Sequence, residues 1–210
     1  MIRIFIADNY AIVREGLKQI LKDNEDMFVI AEAENAWEAL KKLKLGGFDV
    51  IILDIKLPGI GGVEALKKIK AINPDIPILV LCVYPEEQYA LRSIKAGASG
   101  YIKKDCSPEE LIRAIRKIYK GKKYVSPAFT EKLLETIDAG HKRPLHQNLS
   151  DREFQVLCLI SRGNTLSEIA DELSLSIKTI STYKSRVIRK MGFKNNVELI
   201  KYAIENKLIE

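Results

Sequence analysis

Five side chains in the first half of the chain could do chemistry together if the fold gathered them: Asp8, Asn9, Asp54, Cys82 and Lys104. Asp8 follows the apolar run at the N-terminus, and Asp54 closes Val50-Ile51-Ile52-Leu53. Cys82 closes Ile78-Leu79-Val80-Leu81, and Lys104 lies just past Gly100-Tyr101-Ile102. If these runs are parallel strands, the residues share the carboxyl edge of one sheet, and open sheets of this kind bind ligands in the crevice outside that edge. Two carboxylates held close there repel each other. A divalent cation or a shared proton relieves the repulsion, and oxygen ligands suit Mg²⁺ or Mn²⁺. A lysine opposite them would hold a bound phosphoryl group. Taken singly, each residue has a plainer reading: Asp8 as a helix N-cap, Asp54 as a solvated loop carboxylate, Cys82 as a small buried residue.

A second set lies near the C-terminus. From Lys178 to Lys194 the charged residues are Lys178, Lys184, Arg186, Arg189, Lys190 and Lys194, with no acid among them. Ile177, Ile180, Val187, Ile188 and Met191 recur at helical spacing and supply a buried face, which turns Lys178, Ser181, Thr182, Ser185, Arg186 and Arg189 outward. Such a helix suits a polyanion, and the formal net charge of +6 is compatible with nucleic acid. The competing reading is a solvated face, or one paired with an acidic domain.

The elements that must position these groups follow from the hydrophobic patterning. Through residue 120, strand-like runs at Ile2–Ala7, Phe28–Ala33, Val50–Leu53, Ile78–Cys82 and Gly100–Ile102 alternate with helical stretches near 11–23, 36–45, 61–72, 86–96 and 108–120. That alternation predicts an α/β fold with a five-stranded doubly wound parallel sheet. After it the period weakens. Residues 127–137 retain some helical character, and His141-Lys142-Arg143-Pro144 reads as exposed linker. Ser150 with Glu153 forms a capping-box pattern that opens an all-helical module, with further helices over 166–173, 176–191 and 197–206. The predicted domains are 1–121, a linker over 122–146, and 147–210.

A length of 210 residues fits two domains. No apolar run reaches the roughly 18 residues of a membrane span, and no signal-peptide layout opens the chain, so no membrane association and a cytoplasmic location are expected. Cys82, Cys106 and Cys158 are scattered and odd in number, and neither histidine completes a metal cage with them. Gly59, Gly61 and Gly62 do not fit a phosphate-binding P-loop and are read as turn residues before a helix.

In order along the chain, Asp8-Asn9, then Asp54 within Leu53-Asp54-Ile55-Lys56-Leu57-Pro58-Gly59, then Lys104 after Gly97-Ala98-Ser99-Gly100-Tyr101-Ile102-Lys103 resemble the receiver domain of two-component response regulators. Leu149-Ser150-Asp151-Arg152-Glu153, Gly163, Ile169-Ala170 and Ser176-Ile177-Lys178-Thr179-Ile180-Ser181 resemble the four-helix output domain of the NarL/FixJ group, the LuxR-type helix-turn-helix. The resemblance implies a flavodoxin-like receiver and a non-enzymatic regulator of transcription, phosphorylated on Asp54 by a sensor histidine kinase. It implies Mg²⁺ held by Asp8, Asn9, Asp54 and the backbone carbonyl of Lys56, with Lys104, Cys82 and Tyr101 as the phosphoryl-binding and switch positions. In the output domain it implies a DNA face of Lys178, Thr179, Ser181, Thr182, Lys184, Ser185, Arg186 and Arg189. Base reading falls to Ser181, Thr182 and Ser185, and phosphate contact to the cations. A homodimer is expected, because two-fold proteins read two half-sites.

Two positions depart from the receiver pattern. Asn9 stands where a second acid usually ligates the metal, which predicts weaker Mg²⁺ binding and slower phosphorylation. Cys82 replaces the usual hydroxyl, and a thiol is a weak donor. Three alternatives stay open on the sequence: a phosphorylation-independent receiver, a redox role for Cys82, and an interaction protein with a vestigial helix-turn-helix. A phosphohydrolase of the haloacid-dehalogenase type is set aside, since it needs an acid where Lys56 stands.

Overall fold

The computed structural model describes residues 1–84, 86–127, 129–131 and 144–209. The chain divides into two compact units, Met1–Lys132 and Leu133–Glu210.

The first unit alternates strand and helix throughout: β1 (Ile2–Ala7), α1 (Ala11–Lys22), β2 (Met27–Ala33), α2 (Ala36–Leu43), β3 (Val50–Asp54), α3 (Gly62–Ile72), β4 (Ile78–Cys82), α4 (Glu86–Lys95), β5 (Gly100–Lys103) and α5 (Pro108–Tyr119). The strands are all parallel in the order β2-β1-β3-β4-β5. This is the predicted doubly wound sheet. Strands β3 and β4 are buried along their whole length, because helices cover both faces of a parallel sheet, whereas β2 at the edge is only partly covered. The order reverses at β1, which has β2 on one side and β3 on the other. The crevice at the carboxyl ends of β1 and β3 is therefore the topological switch point.

Local chemistry fixes the helix starts. Ser107 caps α5, accepting from Glu110 N, with Pro108 in the first turn, and Asn35 caps α2 by accepting from Glu38 N. Gly62 has a different task. A Cβ there would stand 2.4 Å from Ile55 O and 2.6 Å from Asp54 O, so only glycine lets α3 start directly against the end of β3.

Beyond α5 the chain stays on the first unit. Tyr124 N donates to Ser99 O and Tyr101 N donates to Tyr124 O, both at 2.9 Å, and the Tyr124 ring is buried with the core. Ser126 donates to the Glu86 carboxylate through its hydroxyl. Residues 127 and 129–131 are helical; the rest of the predicted 127–137 stretch, and His141 to Arg143, lie outside the described residues.

The second unit is helical among its described residues. A 3₁₀ turn (Leu145–Asn148) precedes α6 (Asp151–Ser161), α7 (Leu166–Leu173), α8 (Ile177–Met191) and α9 (Asn196–Glu205). Both α6 and α7 begin with complete capping boxes, Ser150 with Glu153 and Thr165 with Glu168. Ser174, at φ 53°, ends α7 in the left-handed conformation, and Ser176 then caps α8 by accepting from Thr179 N. That two-cap turn is the helix-turn-helix corner. Phe154, Leu157, Ile169, Ile180, Val187 and Leu199 form its core. No described helix is long and apolar enough to cross a membrane.

Candidate functional site

The carboxyl ends of β1 and β3 bring Asp8 and Asp54 into one crevice, both about 2 % exposed, with Lys104 between them. The Lys104 ammonium lies 2.6 Å from Asp8 Oδ2 and 3.1 Å from Asp54 Oδ2. The two carboxylates are oriented in the same way. Asp8 Oδ1 accepts from Tyr10 N at 2.9 Å, and Asp54 Oδ1 accepts from Lys56 N at 3.0 Å, so each turn fixes one oxygen and presents the other to the lysine. Asp8 is therefore not the N-cap of α1; that position is Tyr10, which gives no side-chain cap.

Burial, more than any neighbour, pushes the Asp54 carboxyl above the usual aspartate range; Lys104 pulls it back and Asp8 raises it again. For Lys104, burial works against the ammonium, but Asp54 and Asp8 outweigh it and hold its pKa above the ordinary lysine value. Three buried oxygens line the crevice: Asp8 Oδ2 and Asp54 Oδ2, whose partner among the described residues is the Lys104 ammonium alone, and Asn9 Oδ1, which has no hydrogen-bond partner among them. A small hard cation with its own waters is the kind of group that three such acceptors fit. Among the described residues no group of three acidic, histidine or cysteine side chains could hold a metal, so the set has two carboxylates and the Asn9 amide oxygen rather than three acids.

Cys82 and Tyr101 sit behind the crevice, both fully buried. Cys82 Sγ accepts from Tyr84 N at 3.3 Å, and Tyr101 donates its hydroxyl to Tyr84 O at 2.9 Å. One residue, Tyr84, thus serves both, donating to the thiol through its amide and accepting from the phenol through its carbonyl. Burial pushes the Cys82 thiol up to about 11, which leaves it unreactive at neutral pH and argues against the redox role.

Arg14 was not singled out in the sequence, because an arginine on a helix ordinarily faces water. Here it is nearly buried: Nη1 donates to Asp8 O at 2.8 Å, and the rest of the guanidinium holds Glu32 and Glu34 at 3.0 and 2.9 Å. It ties the loop carrying Asp8 and Asn9 to α1. Glu32 on β2 and Glu34 just past its end, two residues apart, were the available signal, but only with the strand pairing known.

On α8, Lys178, Ser181, Thr182, Ser185, Arg186 and Arg189 are exposed, and Thr179 and Lys184 are half-buried. Thr182 donates its hydroxyl to Lys178 O and Ser185 to Ser181 O, which leaves their lone pairs toward solvent as acceptors. The Thr179 hydroxyl is paired with that of Ser176 within the cap. Lys190, in the same cationic run, instead pairs at 2.7 Å with the buried capping residue Glu153 of α6. Ile177 is 53 % exposed, since the first turn of α8 extends past the core that covers Ile180.

Comparison with known proteins matches both units. Residues 4–116 match the response regulator receiver domain, and residues 147–203 the luxR family of bacterial regulatory proteins. The response regulator UvrY of Escherichia coli is 34% identical over 209 residues, covering 99% of this chain and 96% of that protein. The oxygen regulatory protein NreC of Staphylococcus epidermidis is 37% identical over 216 residues, covering 99% of each. Among solved structures, RcsB of Salmonella enterica serovar Typhimurium bound to promoter P1flhDC in the presence of phosphomimetic BeF3- is similar with a TM-score of 0.67. It is 30% identical, covering 96% of this chain and 97% of that one.

Proposed function

The chain belongs to the response regulators, with a receiver in its first unit and a luxR-type DNA-binding module in its second, and from that premise we propose that phosphorylation of Asp54 by a sensor histidine kinase controls its dimerisation and promoter binding. The observation that carries the reading is the Lys104 ammonium within ion-pair distance of both crevice carboxylates. The Asp54 oxygen not engaged by Lys56 attacks phosphorus, the bond to the donor imidazole or acetate breaks, and the leaving group departs with that electron pair. The product is an acyl phosphate, and Lys104 pairs with its new negative charge. Asp8, Asn9, Asp54 and the Lys56 carbonyl would hold Mg²⁺, which when bound offsets charge on the phosphoryl oxygens. With an amide at Asn9 the site binds that ion more weakly than an acidic triad would.

We assign 1–121 to the receiver, 122–146 to the connecting segment, which begins by packing Tyr124 and Ser126 back on the receiver, and 147–210 to the DNA reader. On α8, Ser181, Thr182 and Ser185 take base edges and Lys178, Lys184, Arg186 and Arg189 take phosphates, with Thr179 at the start of the face. The protein works as a cytoplasmic homodimer. The test is intact mass after acetyl phosphate and Mg²⁺: an adduct on the wild type, none on Asp54→Asn. No adduct on the wild type would overturn this reading.

A second reading has one observation in its favour. Tyr101 is buried with its hydroxyl held by Tyr84 O, while Cys82 offers no hydroxyl through which a phosphoryl group could act on it. A receiver locked in this way would bind DNA equally well with and without acetyl phosphate.

A further inference from the structure

The second acid-free cationic tract lies in the receiver unit. From Arg113 to Lys123 stand Arg113, Arg116, Lys117, Lys120, Lys122 and Lys123, six cations in eleven residues, a denser run than the one on α8. All six are exposed. Five of them, with Glu109 as the one acid, line an open groove of about 620 Å³ that runs the length of α5.

Internal partners account for part of the charge and leave the rest. Arg116 is spent on a bidentate pair with Asp26, at 2.8 and 3.0 Å, and Lys123 donates to Ala98 O at 2.7 Å. Arg113 reaches the Tyr124 hydroxyl and Lys117 lies over the Tyr124 ring at 5.3 Å, so both stems are pinned while their charge still faces the groove. The side chains of Lys120 and Lys122 have no hydrogen bond or ion pair with any described residue. Complementing the α5 macrodipole needs one or two cations in the last turn, which Arg116 and Lys117 already supply; Lys122 lies past the helix end.

We propose that this face is a second polyanion-binding surface, taking the phosphate backbone of duplex DNA beyond the stretch contacted by α8. The proposal rests on the DNA-binding reading of the second unit. A lone patch of this size binds DNA weakly, but one tethered to a DNA-binding unit meets the same duplex at a high effective concentration. Phosphate contacts of this kind add affinity at every sequence and show themselves in salt dependence. They would set footprint length and leave sequence preference to α8.

The experiment uses the full chain, a mixed-sequence duplex of about two helical turns and another of about four, and a salt series for each. The Lys120→Ala/Lys122→Ala pair is expected to flatten the log–log salt slope on the long duplex by about 1.8 per protomer, two phosphate contacts at about 0.9 each, and to leave the short duplex unchanged. Lys184→Ala is expected to flatten both. An unchanged slope for the pair on the long duplex overturns the proposal while leaving the role of α8 intact. Equal flattening on both lengths overturns the placement beyond the α8 contacts. If the wild type binds neither duplex at low salt, the DNA-binding reading and this proposal fall together.

Discussion

The crevice and α8 handle charge in opposite ways. In the crevice, Asp8 and Asp54 are buried, oriented by their own turns and neutralised by a lysine from the far side of the sheet. On α8 the cations stand in water apart from the half-buried Lys184, and Lys190 serves the fold through Glu153. Buried opposite charges depend on each other, because removing one partner strands the other in low dielectric, whereas exposed ones contribute little until a partner arrives. The crevice therefore couples chemistry to stability, and α8 keeps the two apart.

That difference can be broken most directly at Lys104. Lys104→Met is expected to cost about 3 kcal/mol of folding stability in metal-free buffer, with Mg²⁺ restoring part of it, as read by denaturant melts. A loss under half that size, indifferent to Mg²⁺, would mean the carboxylates do not need their cation. Next in size is Glu153→Ala, which removes a capping box and leaves Lys190 without its acid; a loss of about 2 kcal/mol is expected, confined to the second unit. Tyr101→Phe should cost about 1 kcal/mol for the bond to Tyr84 O, and less if that hydroxyl is idle.

The sharpest contrast comes from pH. Burial raises the Asp54 carboxyl, so the folded chain holds this proton more tightly than the unfolded one. The contribution is fully present below the ordinary aspartate value of 3.8 and is lost as pH rises through the folded value. Without metal, Asp54→Asn should melt above the wild type at pH 7, and the gap should close on acidification. Lys184→Ala and Arg186→Ala should leave the melting temperature unchanged at either pH while weakening duplex binding. A pH-dependent melting shift in these α8 variants would erase the distinction.

Much of this was legible in the sequence, and the reason is periodicity. β3 and β4 announce themselves as continuous apolar runs, and Ser150 with Glu153 marks a helix start that the structure keeps. The convergence of Asp8, Asp54 and Lys104 could be inferred because strand-end positions in a parallel sheet share an edge. Pairings that depend on register could not. Arg14 with Glu32 and Glu34, Lys190 with Glu153, and the meeting of Cys82 and Tyr101 at Tyr84 join residues whose separation carries no period. The exposure of Ile177 was missed for a related reason, since helical spacing predicts a face but not where the core beneath it ends.

The return of the chain at Tyr124 has a consequence for how the protein fails. By lending a carbonyl and an amide to Tyr101 and Ser99, it occupies part of the outer margin of β5, so a strand from another molecule finds few free backbone groups there. At the opposite margin, β2 has no strand on its outer side among the described residues, and Phe28 and Ile30 face solvent along it. Stressed preparations should accordingly stack through β2, and lysine at Phe28 or Ile30 should keep them dispersed.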